Sequence, residues 1–239
     1  MSYDTNGQPL GVVLDDWRGA QRPQAITLEG RFCRIEPFCL KRYGTDLRAA
    51  LALDKTGEGW AYLPMPAPTS EADWAQWFTT METSRDDPRY FAIIDLQREQ
   101  AVGISCYQRI DPTNGVIEVA RLQFSPLLQR KPAATEAMYL MMRQAFEWGY
   151  RRYEWKCNAL NSQSRRAAER LGFTFEGIFR QHLVNKGLNR DTAWFSVLDR
   201  EWPLVRCALE AWLVPGNFDL SGKQRCRLED YRRALADSR

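Results

Sequence analysis

The chain has 239 residues, with 33 Lys and Arg against 30 Asp and Glu, a single His and a formal net charge of +3. So small an excess gives no footprint for nucleic acid, and 44% hydrophobic with 26% charged residues excludes a disordered or fibrous chain. The six cysteines (33, 39, 106, 157, 207 and 226) are scattered without a C-x-x-C pair or a metal-ligand spacing, which points to a reducing, cytoplasmic setting and no metal. No stretch approaches the roughly 20 apolar residues of a membrane span, and the polar first ten residues lack the apolar core of a signal peptide.

Residues 1–25 carry Gly, Pro, Asp and Gln with little periodicity and read as an extension lying on the surface or across a partner. Strand signals begin at Ile26–Leu28 and continue, after a turn at Glu29-Gly30, over Phe32–Glu36. Helical spacing follows over 43–54, then the proline-broken segment Gly59–Pro68, then a helix from Ser70 with Trp74, Trp77, Phe78 and Met81 on one face. Three strands, Tyr90–Ile94, Ala101–Ile110 and Val116–Phe124, are joined by short connections that favour antiparallel pairing. The order then changes to a helix over Pro132–Trp148, a strand over Tyr153–Cys157, and a helix from Asn161 or Ser162 to Leu171 closed by Gly172. A hairpin of Phe173–Val184 and Asp191–Leu198, an amphipathic helix over Trp202–Leu213 and a polar tail complete the chain. This order predicts an α/β (α+β) fold with a mixed, mostly antiparallel sheet flanked by helices, without repeats or a linker between domains.

The most informative stretch runs from Phe124 to Ala137. A strand feeds a short loop carrying Gln129, Arg130 and Lys131, and the loop feeds a helix whose early side chains, Ala133, Ala134 and Thr135, are small. Orphan N–H groups at a helix start favour an anion, small residues let a diphosphate approach the backbone, and the two cations add charge. The same pattern also suits an ordinary strand-to-helix loop.

This stretch resembles the coenzyme-binding motif of the GNAT acetyltransferase superfamily, V-x-P followed by Q/R-x-x-G-x-G/A. Phe124 stands in the Val place, Pro126 in the Pro place, Gln129 in the Gln/Arg place, and Pro132 and Ala134 in the last two. Thr135-Glu136-Ala137 is similar to the T-E-A of the RimJ/RimL-like branch. Asn161-x-x-Ser164 with Glu169…Gly172-Phe173, and Gly187-x-x-Arg190-Asp191 with Trp194-Phe195-Ser196, resemble two further motifs in the family's order. Arg130 and Pro132 depart from the usual glycines, and Ala168 replaces a tyrosine that many members use as general acid.

The resemblance spans about residues 26–200, leaving 1–25 as an N-terminal extension and 201–239 as a C-terminal helix and tail. It implies a sheet splayed between its central strands and an acetyl-CoA-dependent N-acetyltransferase acting by direct attack in a ternary complex. A non-catalytic acetyl-CoA sensor is the alternative. The resemblance implies that Gln129, Arg130, Lys131, Pro132, Ala133, Ala134 and Thr135 hold the diphosphate. Backbone N–H groups near Gln123 and Phe124 hold the acetyl oxygen, and Asn161 and Ser164 meet the pantetheine arm or cap a helix. Glu118 is the expected base, or an outward carboxylate paired with Arg121 or Arg109. Ser164 is the expected acid for the thiolate. Trp60 and Tyr62 wall the acceptor or pack in the core, and His182 stands near the acceptor or is structural. Cys157 has no His near it in sequence, which argues against a ping-pong mechanism. The acceptor is a protein or peptide N-terminus or a small amine. A homodimer completed by the Trp202–Leu213 helix and the N-terminal extension is the expected assembly, if there is one.

Overall fold

The computed structural model describes residues 2–220 and 222–237. Eight strands form one sheet: β1 (Leu28–Glu29), β2 (Cys33–Pro37), β3 (Arg89–Asp95), β4 (Gln100–Asp111), β5 (Val116–Phe124), β6 (Arg152–Asn158), β7 (Thr174–Asn185) and β8 (Leu188–Leu198). Their spatial order is β1-β2-β3-β4-β5-β6-β8-β7. Every pairing is antiparallel except β5 with β6. Strand alternation divides the interior into two layers. On β3, Phe91 and Ile93 face a core shared with α3 (Pro132–Glu147), α4 (Ser162–Leu171), α5 (Trp202–Trp212) and α6 (Leu228–Asp237). Tyr90, Ala92 and Ile94 face the opposite core, shared with α1 (Leu40–Leu51) and α2 (Glu71–Thr83).

The parting of the sheet positions the site. β5 and β6 pair only at Val116–Arg152, Ile117–Tyr153 and Glu118–Glu154. Beyond them β5 stays with β4 and β6 stays with β8. A bulge accompanies the divergence: Cys106 faces Ala120 but Ile104 faces Gln123, so β5 holds one extra residue around Arg121, whose φ is +49°. Bulges bend a strand and raise its twist, which turns β5 away from β6.

Several expectations shift by local chemistry. α1 begins at Leu40 rather than 43, because the Glu82 carboxylate accepts the Leu40 N–H (2.8 Å) at the helix start. β7 and β8 meet in a two-residue turn, Lys186-Gly187, with both φ positive, so β8 starts at Leu188 rather than Asp191. The tail contains α6, whose Leu228 is buried while Tyr231 and Leu235 pack against the same core. Gly172 ends α4 at φ +102°, as its place after Leu171 predicts. The N-terminal extension lies on its own chain: Trp17 donates to the Thr113 carbonyl (2.7 Å), and Ala20 and Gln21 bond to Pro112 and Trp148. Trp202, Val205, Leu209 and Trp212, the apolar face offered above for a dimer, are buried within the chain. No helix among the described residues is long and apolar enough to cross a membrane.

Candidate active site

A cleft of about 1170 Å³ opens where β5 and β6 part. One end is built by the loop after β5 and by the starts of α3 and α4. Leu128 is fully buried and anchors this loop, and its N–H and that of Gln129 both bond to the Ser125 carbonyl. Gly103 on β4 leaves the room Leu128 needs, since a Cβ there would lie 2.5 Å from Leu128 Cδ2. Gln129 Nε2 donates to the Phe124 carbonyl (2.8 Å), so this side chain shapes the loop. Arg130 takes φ +60°, the conformation that glycine adopts most readily, and thus keeps the turn while adding a cation. Lys131 sits at the N-cap of α3 and Pro132 at its first position.

Among the described residues the N–H groups of Arg130 and Ala133 have no acceptor in the chain, and neither Arg130 nor Lys131 is paired with a carboxylate. This donor set fits an anionic diphosphate: two free amides, a helix start and two uncommitted cations. The helix is held in place from behind. The buried Glu136 carboxylate accepts the N–H groups of Arg31, Phe32 and Cys33 at 2.6–2.8 Å. Arg170 donates to Thr135 Oγ1 (3.0 Å) and lies over the Trp212 ring.

Asn161 Oδ1 accepts the Ser164 N–H (3.0 Å) and so caps α4, while the residue also lines the cleft. Ser164 Oγ accepts from Trp155 Nε1 (3.0 Å), which leaves its own O–H available to a second acceptor. Burial pushes the nearby Cys157 thiol up from its ordinary range, so it stays protonated at neutral pH.

The other end of the cleft is built from side chains on β4, β5, β6 and β8. Glu118 is 1% exposed. Its Oε1 accepts from Gln108 Nε2 (2.9 Å), and its Oε2 lies 3.1 Å from Lys156 Nζ and 3.6 Å from Arg109 Nε. Burial raises its pKa above the usual carboxylate range, with Lys156 as the main opposing influence. The carboxylate therefore faces inward, ion-paired with Arg109 and Lys156, while Arg121 turns to Gln108 Oε1 (3.3 Å). Arg109 and Lys156 both lie over the Trp194 ring at 5.2 Å.

Of the residues expected from sequence, Gln123, Phe124, Gln129, Arg130, Lys131, Pro132, Ala134, Thr135, Asn161, Ser164, Glu118 and Tyr62 line one cleft. Ala133 is buried behind it. Trp60 does not line it: the indole packs against Trp74 and Trp77, which corrects the acceptor-wall reading in favour of core packing. With the Gln123 carboxamide oriented to satisfy both neighbours, its oxygen accepts from Trp60 Nε1 (3.2 Å) and its nitrogen donates to the Gly59 carbonyl (3.1 Å). His182 also lies outside the lining, with Nδ1 3.0 Å from Thr192 Oγ1 and its ring beside Phe179 and Trp194. Partial burial, then the charges of Lys156, Arg190 and Arg109, lower its pKa. Lys156 and Gln108 were not singled out in the sequence, and Arg190 stood there only as part of the Gly187-x-x-Arg190-Asp191 motif, without a role; a lysine between Trp155 and Cys157 in a short central strand was the available signal for Lys156.

A mixed sheet parted between its two parallel strands, with an anion-receptive helix start beside the gap, defines the class as a GNAT-type acetyltransferase fold. The acetyltransferase (GNAT) domain model matches residues 38–174, and the chain belongs to that family, whose acetyl donor is acetyl-CoA. Its structure is similar to that of a GCN5-related N-acetyltransferase from Brucella melitensis, with 46% identity, a TM-score of 0.90, and 92% of this chain and 100% of that one covered. It is also similar to a protein described as a probable GNAT-family acetyltransferase from Chromobacterium violaceum, at 35% identity and TM-score 0.75 over 82% of this chain and 97% of that one. At 19% identity and TM-score 0.61, over 71% of this chain and 93% of that one, the microcin C7 self-immunity acetyltransferase solved with acetyl-CoA and AMP shares the fold. No curated protein matches the chain.

Proposed function

We propose that the protein is an N-acetyltransferase of the RimJ/RimL-like branch, active in the cytoplasm, that moves the acetyl group of acetyl-CoA directly onto a small primary amine. The observation that carries this reading is the buried Glu118 carboxylate standing in the same cleft as Arg130, with its free amide, and Lys131 of the loop after β5. The branch rests on Thr135-Glu136-Ala137. The setting rests on six free cysteines.

Arg130, Lys131 and the Arg130 N–H group bind the diphosphate at the start of α3, and Asn161 meets the pantetheine arm that lies in the parted sheet. The N–H groups near Gln123 and Phe124 hold the acetyl oxygen. Glu118 takes a proton from the attacking amine as the C–N bond forms, and its raised pKa brings it nearer to neutral pH, where a base works best. Ser164 donates its proton to the sulfur as the C–S bond breaks and regains one from water. The buried, protonated Cys157 thiol argues for direct transfer over an acetyl-cysteine intermediate.

A roof over the acceptor end supports a small amine over an extended peptide. Lys186 Nζ donates to the Trp60 carbonyl (2.9 Å), Asn185 Nδ2 to the Leu63 carbonyl (3.5 Å), and the Tyr62 hydroxyl to the Leu160 carbonyl (3.3 Å). The first two contacts hold the segment around Glu58–Pro64 against the tip of the β7–β8 hairpin, and the third ties it to the connection between β6 and α4. The test is calorimetric titration of acetyl-CoA beside thiol release across small amines and N-terminal peptides. Coenzyme binding with turnover of small amines is expected. Binding without turnover of any amine would instead make the protein a sensor, and peptide-only turnover would overturn the acceptor class.

A further inference from the structure

The cations around the acceptor end are not equally committed. Lys156 and Arg109 pair with Glu118, and Arg121 bonds to Gln108. Arg190 lines the same cleft, yet its guanidinium has no acceptor in the chain among the described residues, and its Nε is buried. A buried arginine nitrogen without an acceptor is costly, and such groups are generally met by a partner. The register explains why none is at hand. The last β6–β8 pair joins Asn158 to Thr192, so Arg190 lies past the end of β6 and is paired across the hairpin with Leu183 of β7. It shares a strand face with Thr192 and Trp194, the face onto which Lys156 points its ammonium. Its neighbour Asp191 is engaged elsewhere, accepting from the Gln181 N–H and from Asn189.

Charge balance at this end of the cleft favours an anion. Arg121, Lys156 and Arg190 line it against Glu58 and Glu118. Once the Glu118–Lys156 pair is set aside, two cations face one exposed carboxylate.

We infer that Arg190 is a specificity residue that receives a carboxylate of the acceptor, and that the acceptor is a free amino acid: a small molecule with its amine toward Glu118 and its carboxylate toward Arg190. This deepens, and rests on, the reading of the cleft as an acetyltransferase site. Guanidinium suits the role because it offers a planar fork of donors matched to a carboxylate. The roof of Tyr62, Asn185 and Lys186 contacts limits the length of acceptor that fits beneath it.

The test uses the full chain with acetyl-CoA and a panel of α- and ω-amino acids, each beside its decarboxylated amine and its amide. Thiol release gives kcat/KM, and equilibrium dialysis of the same compounds against the coenzyme-bound protein gives affinity without turnover. The expected result is a preference of about 10–100-fold for the best amino acid over its matched amine, chiefly in KM. In Arg190→Gln that preference disappears while acetyl-CoA affinity holds, and Arg190→Lys keeps part of it. Normal turnover of neutral amines with no preference for the carboxylate overturns this inference and leaves the acetyltransferase reading intact. Coenzyme binding with no amino acid turned over or retained in dialysis also overturns it. Loss of coenzyme binding in the wild-type protein overturns both.

Discussion

The two ends of the cleft are built by different means. The end proposed for the coenzyme is one continuous segment, Phe124 to Thr135, in which the backbone does most of the work: a self-bonded turn, a left-handed Arg130, a proline at the first helical position and two amides without an internal acceptor. The acceptor end has almost no contribution from local backbone. Glu118, Gln108, Lys156 and Arg190 come from four strands and converge only because the sheet orders them as β4, β5, β6 and β8. A backbone-built site depends little on side-chain identity where the backbone geometry is kept, as Arg130 keeps it at φ +60°. A side-chain-built site depends on each group, so substitutions should separate the two ends cleanly.

The largest effect is expected at Glu118. Glu118→Gln keeps the shape and the Gln108 contact but removes the base, and kcat should fall by about 10²–10³-fold with acetyl-CoA affinity unchanged. Steady-state kinetics beside calorimetry reads both numbers. An equal loss in coenzyme affinity would mean that the two ends are not separable. Ser164→Ala comes next, with kcat lower by about tenfold, the scale of one hydrogen bond made to the leaving sulfur. Should kcat hold while melting temperature drops, Ser164 acts only as the acceptor of Trp155 Nε1.

At the coenzyme end, Arg130→Gly should preserve the φ +60° turn while deleting a cation. The dissociation constant for acetyl-CoA then rises by about three- to tenfold and kcat at saturation is unaffected. A larger rise, or a change in kcat, would show that the loop relies on the side chain for more than charge. Tyr62→Phe removes one exposed 3.3 Å bond from the roof, and kcat/KM should move by about twofold or less.

The same contrast explains what the sequence disclosed. The loop after β5 was legible as an anion-receptive turn because its residues are contiguous and its chemistry follows from helix-start physics, and Gly172 and Pro132 marked helix boundaries in the same way. The splay itself was expected only by resemblance, because the bulge at Arg121 leaves no local signature: a non-glycine residue at φ +49° is invisible in a string of letters. Glu118 was legible as a residue but its surroundings were not, since Lys156 lies 38 positions away and reaches it across the parallel pair. Trp60 misled because an aromatic in a proline-rich segment serves a core as readily as a pocket, and here Trp74 and Trp77 claim it. α6 was hidden by its charge: only Leu228, Tyr231 and Leu235 touch the core, at a spacing easily lost among five ionic neighbours.

The central claim is that Glu118 acts as a base in a buried site, and the pH dependence of kcat/KM for wild type and Glu118→Gln tests it most directly. Glu118 must be ionised to accept a proton, and burial raises its pKa, so activity should fall as pH drops through a value above the ordinary carboxylate range. The account predicts that this acidic limb is present in the wild type and absent from the weakly active Glu118→Gln variant. A variant with wild-type rates and an unchanged acidic limb would contradict it.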